Sequence, residues 1–327
     1  MMPLLLAPLE MLYSGIVRAR NAHFDRTSAQ QRLLWPVVSI GNLSLGGAGK
    51  TPLVISLATL LQAGGFHPDV LSRGYGRSEQ TVERVDRLGA AERFGDEPLL
   101  IARSTGLPVY VGASRFRAGR LAEAERQGQS RGVHLLDDGF QHRRLARALD
   151  IVVVHRSDLE QRLLPAGRLR EPLSSLRRAD VIVLRQEDAG LEPLLDVYAG
   201  AKCRYWRIRR NLALPGLVSR SIAFCGIARP AEFFENLRAL GAEMVEQVRF
   251  RDHHRYTAAD IEHLAELGQS LRCDGFVTTD KDAVKLDAVM RSRLNAVAPL
   301  QTAQLTVELE DPAAALDLMR KSLIVPE

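Results

Sequence analysis

The sequence predicts an α/β protein built on a P-loop NTPase-like parallel sheet flanked by helices, followed by a second, smaller α/β domain. Three observations point there. Short apolar runs alternate with helical patterns along most of the chain, the arrangement that gives parallel βαβ units. Residues 37–61 read VVSIGNLSLGGAGKTPLVISLATLL, an apolar strand, a glycine-rich turn and an apolar helix in the order a phosphate-binding loop requires. Near 204–220 short apolar runs mix with arginines and Pro215, and a fresh strand–helix series starts at Ser221.

The elements follow in order. Residues 1–17, MMPLLLAPLEMLYSGIV, are mostly apolar, and Arg18, Arg20 and Arg26 come after them. Glu10 interrupts this run, which is short for a membrane span of about 20 residues. Its positive charge follows the apolar stretch, whereas a secretory signal carries charge in front. Residues 1–25 therefore read as an amphipathic helix, resting either on a membrane with its arginines toward anionic headgroups or on the protein's own core. Strands are expected at 35–40, 68–71, 108–111, 133–136, 150–154 and 180–184. Helices are expected between them at 51–61, 97–103, 113–127 and 172–178. After the break come strand 221–224, helix 231–240, strand 243–249, helix 258–267, strand 275–278 and a helical tail over 311–323. A chain of 327 residues accommodates about two domains, placed at 26–215 and 216–327.

Composition narrows the function. With 46% hydrophobic and 25% charged residues the chain is an ordinary globular protein rather than a disordered or membrane-embedded one. A net charge of +5 favours an anionic partner. The basic residues are nearly all Arg, and Lys occurs only at 50, 202, 281, 285 and 321. No compact basic run interleaved with aromatics appears, so nucleic acid is not an expected partner. Cys203, Cys225 and Cys273 form neither a disulfide framework nor a zinc pattern, and a reducing cytoplasm suits them.

Two motifs carry chemistry. In the first, Gly46, Gly47, Ala48 and Gly49 form a flexible loop whose N–H groups, with the following helix N-terminus, cradle phosphates. Lys50 reaches the terminal phosphates and the Thr51 hydroxyl ligates Mg²⁺. The strict pattern places a glycine where Ser44 stands. In the second, Val133–His142 reads VHLLDDGFQH. Asp137 and Asp138 end a strand where P-loop enzymes hold Mg²⁺, with Gln141 and His142 close by. Weaker signals surround these. The loop SRGYGR at 72–77 offers Arg73, Tyr75 and Arg77 to a phosphate or substrate, or is a glycine turn with solvated arginines. Asp96 and Glu97 in GDEP are candidates to accept a substrate proton, with Glu97 also a candidate metal carboxylate, or are first-turn acids of a helix. Asp252-His253-His254 could supply an oriented imidazole. Thr278–Lys285 lacks the order used to read guanine, which argues against a GTPase.

Taken together, GNLSLGGAGKTP, LSRGYGR, GDEP, LLDDGFQHRRLARALDIVVV, LLPAGRLREPLSSLRRADVIVL, AFCGIARPAEFF, DHHRYT and VTTDKDAVKL stand in one order from Gly41 to Leu286. The chain closely resembles the tetraacyldisaccharide 4′-kinase family, over nearly its whole length, and Ser44 matches that family's own loop. The resemblance implies ATP- and Mg²⁺-dependent phosphorylation of the 4′-hydroxyl of a lipid A disaccharide precursor. It implies a peripheral or monotopic enzyme on the cytoplasmic face of the inner membrane, which favours the membrane reading of the N-terminal helix. It also implies Asp96 as the base, paired with His253 from the second domain, with His254 as the alternative if the register differs. Asp137 and Asp138 would hold the metal and its waters, and Arg73, Arg77, Gln141 and His142 would contact phosphate or substrate. A soluble small-molecule kinase and a nucleotide-gated binding module at the membrane are the competing readings.

Overall fold

The computed structural model describes residues 6–26, 30–47, 49–78, 80–216 and 219–323. Helix α1 spans Ala7–Phe24. Then come β1 (Val37–Asn42), α2 (Lys50–Ala63), β2 (His67–Ser72), β3 (Glu83–Arg84), α3 (Ala91–Phe94), α4 (Asp96–Thr105), β4 (Val109–Val111), α5 (Arg115–Glu125), β5 (Gly132–Asp137), β6 (Leu149–Val153), β7 (Val181–Arg185), α6 (Glu192–Leu195) and β8 (Arg204–Ala213). The remainder contributes β9 (Ser221–Cys225), α7 (Pro230–Ala239), β10 (Met244–Arg249), α8 (Ala258–Leu271), β11 (Gly275–Thr279), α9 (Asp280–Ala283), α10 (Ala288–Asn295), β12 (Leu300–Leu309) and α11 (Pro312–Leu323).

Twelve strands of the described residues form one sheet in the order β10-β9-β11-β12-β8-β7-β6-β1-β5-β2-β4-β3. Every pairing is parallel except β3 with β4 at one edge and β8 with β12 in the interior. The β8–β12 pair shapes the molecule. Arg204–Ile208 of β8 pairs with β7, and Ile208–Ala213 then pairs with Gln304–Leu309 of β12. Leu300–Ala303 of β12 pairs with β11. The two parallel runs are thus joined by an antiparallel ribbon of six residue pairs, about 20 Å long. Because β7 ends at Arg185, opposite Ile208 of β8, and β11 ends at Thr279, opposite Ala303 of β12, the carboxyl ends of both runs face each other across that ribbon.

The sequence break at 204–220 is corrected here, since its first ten residues are β8. Trp206 and Ile208 point into the core while Arg204 and Arg209 are exposed. The alternation is that of a strand with one wet face, hidden in the sequence by its arginines. Strand β12 and helix α10 were not anticipated. Residues 172–178 wind as a 3-10 turn (Leu173–Arg178) rather than an α-helix, with Pro172 at its N-cap; a short connector between packed segments is where the tighter 3-10 winding is commonly used.

The cores follow the apolar pattern. All six residues of β1 are buried, as expected of a central strand covered on both faces. Val38 and Ile40 belong to the same cluster as Leu53, Val54, Leu57 and Leu61 of α2. Ile222, Phe224, Leu264 and Phe276 centre a second core in the later run. Helix α1 lies on the protein: Val17 and Asn21 are buried, Tyr13 donates to the Arg170 carbonyl (2.9 Å), and Asn21 donates to Glu171 (3.0 Å). Its opposite face leaves Leu9, Met11, Leu12 and Ile16 exposed. Among the described residues no helix is long and apolar enough to cross a membrane.

A buried charge cluster ties the segment entering β1 to the sheet. His134 Nδ1 lies 2.7 Å from Asp69 Oδ1 and its Nε2 3.5 Å from Glu123 Oε1. Glu123 also accepts from the backbone N–H groups of Leu34 (2.6 Å) and Trp35 (3.0 Å). Burial opposes the imidazolium, but the two carboxylates overcome it and push His134 up to about 9 from 6.5. A folded-state pKa above the unfolded one stabilises below the unfolded value and loses that contribution as pH rises through the folded value. We therefore expect His134→Gln to cost about 3 kcal/mol at pH 6. The cost should shrink progressively between pH 6.5 and 9, read from urea unfolding at a series of pH values.

Candidate active site

The two carboxyl edges enclose a cleft of about 750 Å³. From the first run it is lined by Gly46, Gly47, Gly49, Lys50, Thr51, Glu97, Asp137 and Asp138, and from the second by Arg229, His253, Asp280 and Lys281.

The glycine loop is held in a form that only glycine tolerates at two points. Gly46 has φ +102°, and a Cβ there would meet Arg168 Nη2 at 2.3 Å. Gly49 caps α2 with φ +74°. Ser44 is buried and bridges to Leu169, so it anchors the loop base rather than lining the cleft. Ala48 lies outside the described residues. Lys50 donates to Asn42 Oδ1 (2.8 Å) and sits 3.2 Å from Asp138 Oδ1. Arg170 reaches the other Asp138 oxygen (2.9 Å). Gln141 ties this corner together by donating to the Asn42 carbonyl (2.9 Å) and facing Arg170 (3.4 Å).

The two adjacent aspartates are electrostatic opposites. Burial raises the cost of charge at Asp138, but Lys50 and Arg170 more than offset it and hold its pKa down to about 2. Asp138 also adopts φ +50°, a conformation uncommon outside glycine. Asp137 is buried, with Ser72 donating to its Oδ2 (2.9 Å), while its Oδ1 is buried without a hydrogen-bond partner. Burial, then the charges of Glu97 and Asp138, push Asp137 up to about 7.

Across the cleft, Asp96 opens α4 after Gly95, which has φ +90° and packs so tightly that a Cβ would lie 3.0 Å from the Gly74 Cα. This close approach of two glycines sets Asp96 beside the SRGYGR loop. Asp96 lies one layer beneath the cleft wall. His253 Nδ1 is 2.9 Å from its Oδ2, Lys281 Nζ is 3.9 Å away and Lys285 Nζ 4.0 Å. Burial opposes the charge of Asp96, but the His253 hydrogen bond and the two ammonium groups hold it down to about 2. The same hydrogen bond raises His253 above the usual imidazole value, against burial. His253 has φ +57°, strain of the kind that concentrates at functional positions. Its Nε2 faces Lys281 Nζ at 3.4 Å, and Lys281 donates to Glu97 (2.9 Å).

The structure brings most sequence-predicted residues together and sets others aside. Arg73 and Tyr75 line the cleft, and the Tyr75 ring lies 5.5 Å from that of His253. Arg77 turns away, pairing with Glu83 and the Thr81 carbonyl. His142 is outside the lining, and burial with Arg115 beside it depresses its pKa to about 4. His254 binds Asp260 (3.0 Å) and stacks on Phe250 at 4.6 Å, so His253 alone meets Asp96. Sequence reasoning missed Asn42, Lys281, and the group in which Glu232 takes Arg185 (2.7 Å) and Arg210 (2.8 Å). Lys281 stands in a motif that was noticed, TTDKDAVK, and lysine scarcity was the available signal.

Cations converge where a phosphate chain would lie on the loop, and opposite them an imidazole from the second run is oriented by a carboxylate of the first. That division is the one a P-loop phosphotransferase uses. The Tetraacyldisaccharide-1-P 4′-kinase family model matches residues 2–323. The chain is 45% identical to a tetraacyldisaccharide 4′-kinase of Koribacter versatilis, over 95% of this chain and 96% of the relative. It is 39% identical to one of Azoarcus sp. over 86% and 83%. The crystal structure of Aquifex aeolicus LpxK in complex with ATP superposes with a TM-score of 0.78 at 30% identity, covering 99% of this chain and all of that one. The chain belongs to the tetraacyldisaccharide-1-P 4′-kinase family. It is accordingly an enzyme, a kinase that transfers phosphate to a hydroxyl.

The state of Asp137 gives a direct test. A carboxyl raised on folding destabilises increasingly as pH climbs from 3.8 toward 7. Asp137→Asn should raise the melting temperature of the ligand-free protein by several degrees, more at pH 8 than at pH 5, while lowering kinase activity. Calorimetry at the two pH values checks it.

Proposed function

We propose that this protein uses ATP to phosphorylate the 4′-hydroxyl of a tetraacylated glucosamine disaccharide 1-phosphate in lipid A biosynthesis. The observation that carries the reading is the His253–Asp96 hydrogen bond, made between the two parallel runs, opposite the Lys50 loop. Lys50, Thr51 and the loop glycines bind the ATP phosphates. The residues present suit Mg²⁺: Asp137 has a buried oxygen in want of a partner, and Thr51, Asp138 and Glu97 line the same cleft. Bound there, the ion would neutralise charge on the transferring phosphoryl group.

The dyad acts as a unit. Nδ1–H of His253 donates to Asp96, which leaves the Nε2 lone pair toward the cleft. Asp96 is buried beneath the wall and held well below the usual carboxylate range, whereas His253 is more exposed and raised. In place of the expected Asp96, Nε2 of His253 therefore takes the 4′-hydroxyl proton, and Asp96 orients the ring and stabilises the imidazolium. Lys281 withdraws from Nε2 as the hydroxyl arrives. Residues 26–215 and 216–327 behave as two lobes, so the base meets the phosphate loop only when they are closed, which limits hydrolysis of ATP by water. Arg73 and Tyr75 receive the acceptor sugar. Helix α1 lays Leu9, Met11, Leu12 and Ile16 on the cytoplasmic face of the inner membrane, where the acyl chains of the acceptor reside.

The test is transfer from γ-labelled ATP to the tetraacyl disaccharide 1-phosphate in detergent micelles. Asp96→Asn and His253→Ala should each lower kcat by roughly 10²–10⁴-fold with ATP affinity kept within about threefold, and the double variant should lose little more than either alone. A wild-type enzyme that hydrolyses ATP without labelling the lipid would sink the acceptor assignment.

A further inference from the structure

A second place where cations converge lies under the C-terminal half of α1. A cavity of about 240 Å³ opens between that helix and the 3-10 turn Leu173–Arg178. Its walls carry Arg18, Arg177, Arg178, Ser174, Ser175 and Asp25. The charges around it do not balance. Glu171 is fully engaged, with one oxygen on Arg20 (2.8 Å) and the other on Arg178 (2.7 Å) and Asn21 (3.0 Å). Asp25 accepts from Arg143 (2.7 Å), and Arg177 stands 4.0 Å from its other oxygen, beyond hydrogen-bond range. Five guanidinium groups, those of Arg18, Arg20, Arg143, Arg177 and Arg178, thus share the two carboxylates that bond any of them, Asp25 and Glu171, with the buried Asp150 acting on Arg178 only through space.

The unspent donors are specific. Arg178 is fixed by its bond to Glu171 and by stacking over Phe140 at 4.3 Å, yet its buried Nε and Nη1 find no acceptor. Among the described residues Arg18 has no acidic partner, and the Ser174 and Ser175 hydroxyls make no hydrogen bond. A rigid guanidinium with bare donors, two more arginines and two hydroxyls around one small cavity is a recognition set for a tetrahedral oxyanion. The source of that anion follows from the helix. Leu9, Leu12 and Ile16, at i, i+3 and i+7, are exposed on α1, and Arg18 follows Ile16 by half a turn. A bilayer that receives this apolar row brings its headgroup phosphates to the level of Arg18.

We propose that this cavity is a headgroup site for an anionic phospholipid, in which Arg18, Arg177, Arg178, Ser174 and Ser175 hold the phosphate diester beside the active cleft. The proposal rests on the reading of α1 as a membrane-facing helix, and the experiment separates the two. Vesicle flotation compares phosphatidylcholine alone with phosphatidylcholine plus phosphatidylglycerol, for wild type, Ser174→Phe and Arg177→Gln. Ser174→Phe fills the cavity without changing net charge. Wild type should prefer the phosphatidylglycerol vesicles, Arg177→Gln should lose about fivefold of that preference, the worth of one basic side chain near an anionic leaflet, and Ser174→Phe should lose most of it. Both variants should still bind neutral vesicles as wild type does and should keep wild-type activity on detergent-dispersed acceptor, which shows that they fold. A preference undiminished in Ser174→Phe overturns the site in favour of diffuse surface charge, and no preference in wild type overturns it outright. Failure of wild type to bind any vesicle overturns the site and the reading of α1 together. Titration with inorganic phosphate closes the remaining route: binding that Ser174→Phe abolishes, without any vesicle preference, assigns the cavity to free phosphate and defeats the lipid assignment.

Discussion

The antiparallel pairing of β8 with β12 is the constraint on which the rest of the molecule depends. Parallel α/β sheets place ligand sites at the carboxyl ends of their strands. A single long parallel sheet has only one such edge, and an active site that needs a phosphate loop and an independent proton acceptor must crowd both onto it. Here each of two long strands serves both runs, and the ribbon they form turns one carboxyl edge toward the other. The loop after β1 and the residues after β9 and β11 then line a single cleft. The ribbon is held by backbone hydrogen bonds, so the relation between the lobes is insensitive to most side-chain changes.

Side-chain contacts across the cleft tie the two runs together. Three span the cleft near the dyad: His253 to Asp96, Lys281 to Glu97, and Arg255 to the Gly76 carbonyl. All three attach the second run to α4 or to the loop beside it, and none to the phosphate loop. The His253–Asp96 side of the cleft is therefore a composite of both runs, whereas the side with Lys50 and Asp138 belongs mainly to the first. Glu232 works on the far wall, taking Arg185 and Arg210 from the first run onto α7 of the second. The Arg210 side chain reaches to within 3.9 Å of where a Gly49 Cβ would stand, so this wall touches the loop from the ribbon.

Much of this was legible in the sequence, and the omissions have physical causes. The strand–glycine–helix order at 37–61 and the paired aspartates at 137–138 are local signals, because a strand end and the turn after it are set by adjacent residues. The alternating α/β pattern gave the fold class for the same reason. Strand β8 was hidden because its solvent face carries arginines that read as a break. Its partner β12 lies about a hundred residues on, and no local pattern announces which distant strand a strand will pair with. The pairing of Asp96 with His253 was expected only through resemblance, for neither GDEP nor DHHRYT carries information about the other. Lys281 escaped because its partners, Glu97 and His253, come from two separate stretches of chain.

These absences share a feature that bears on how the site works. In the ligand-free protein the key cations are already engaged: Lys50 on Asn42 and Asp138, Arg170 on Asp138, Lys281 on Glu97. Asp137, by contrast, is left with a bare buried oxygen and a raised pKa. Arriving phosphates must compete with Asp138 for Lys50. A cation that satisfies Asp137 also weakens the hold of Asp138 and Glu97 on their lysine partners, since it supplies the charge those carboxylates otherwise draw from the protein. On the proposed function, nucleotide and metal would thus be favoured jointly over either alone. Freeing Lys281 from Glu97 would also loosen it from His253 Nε2, which it faces at 3.4 Å. On the proposed function, exchange of these resting ion pairs would link occupation of the Lys50 loop to the state of His253 on the other run.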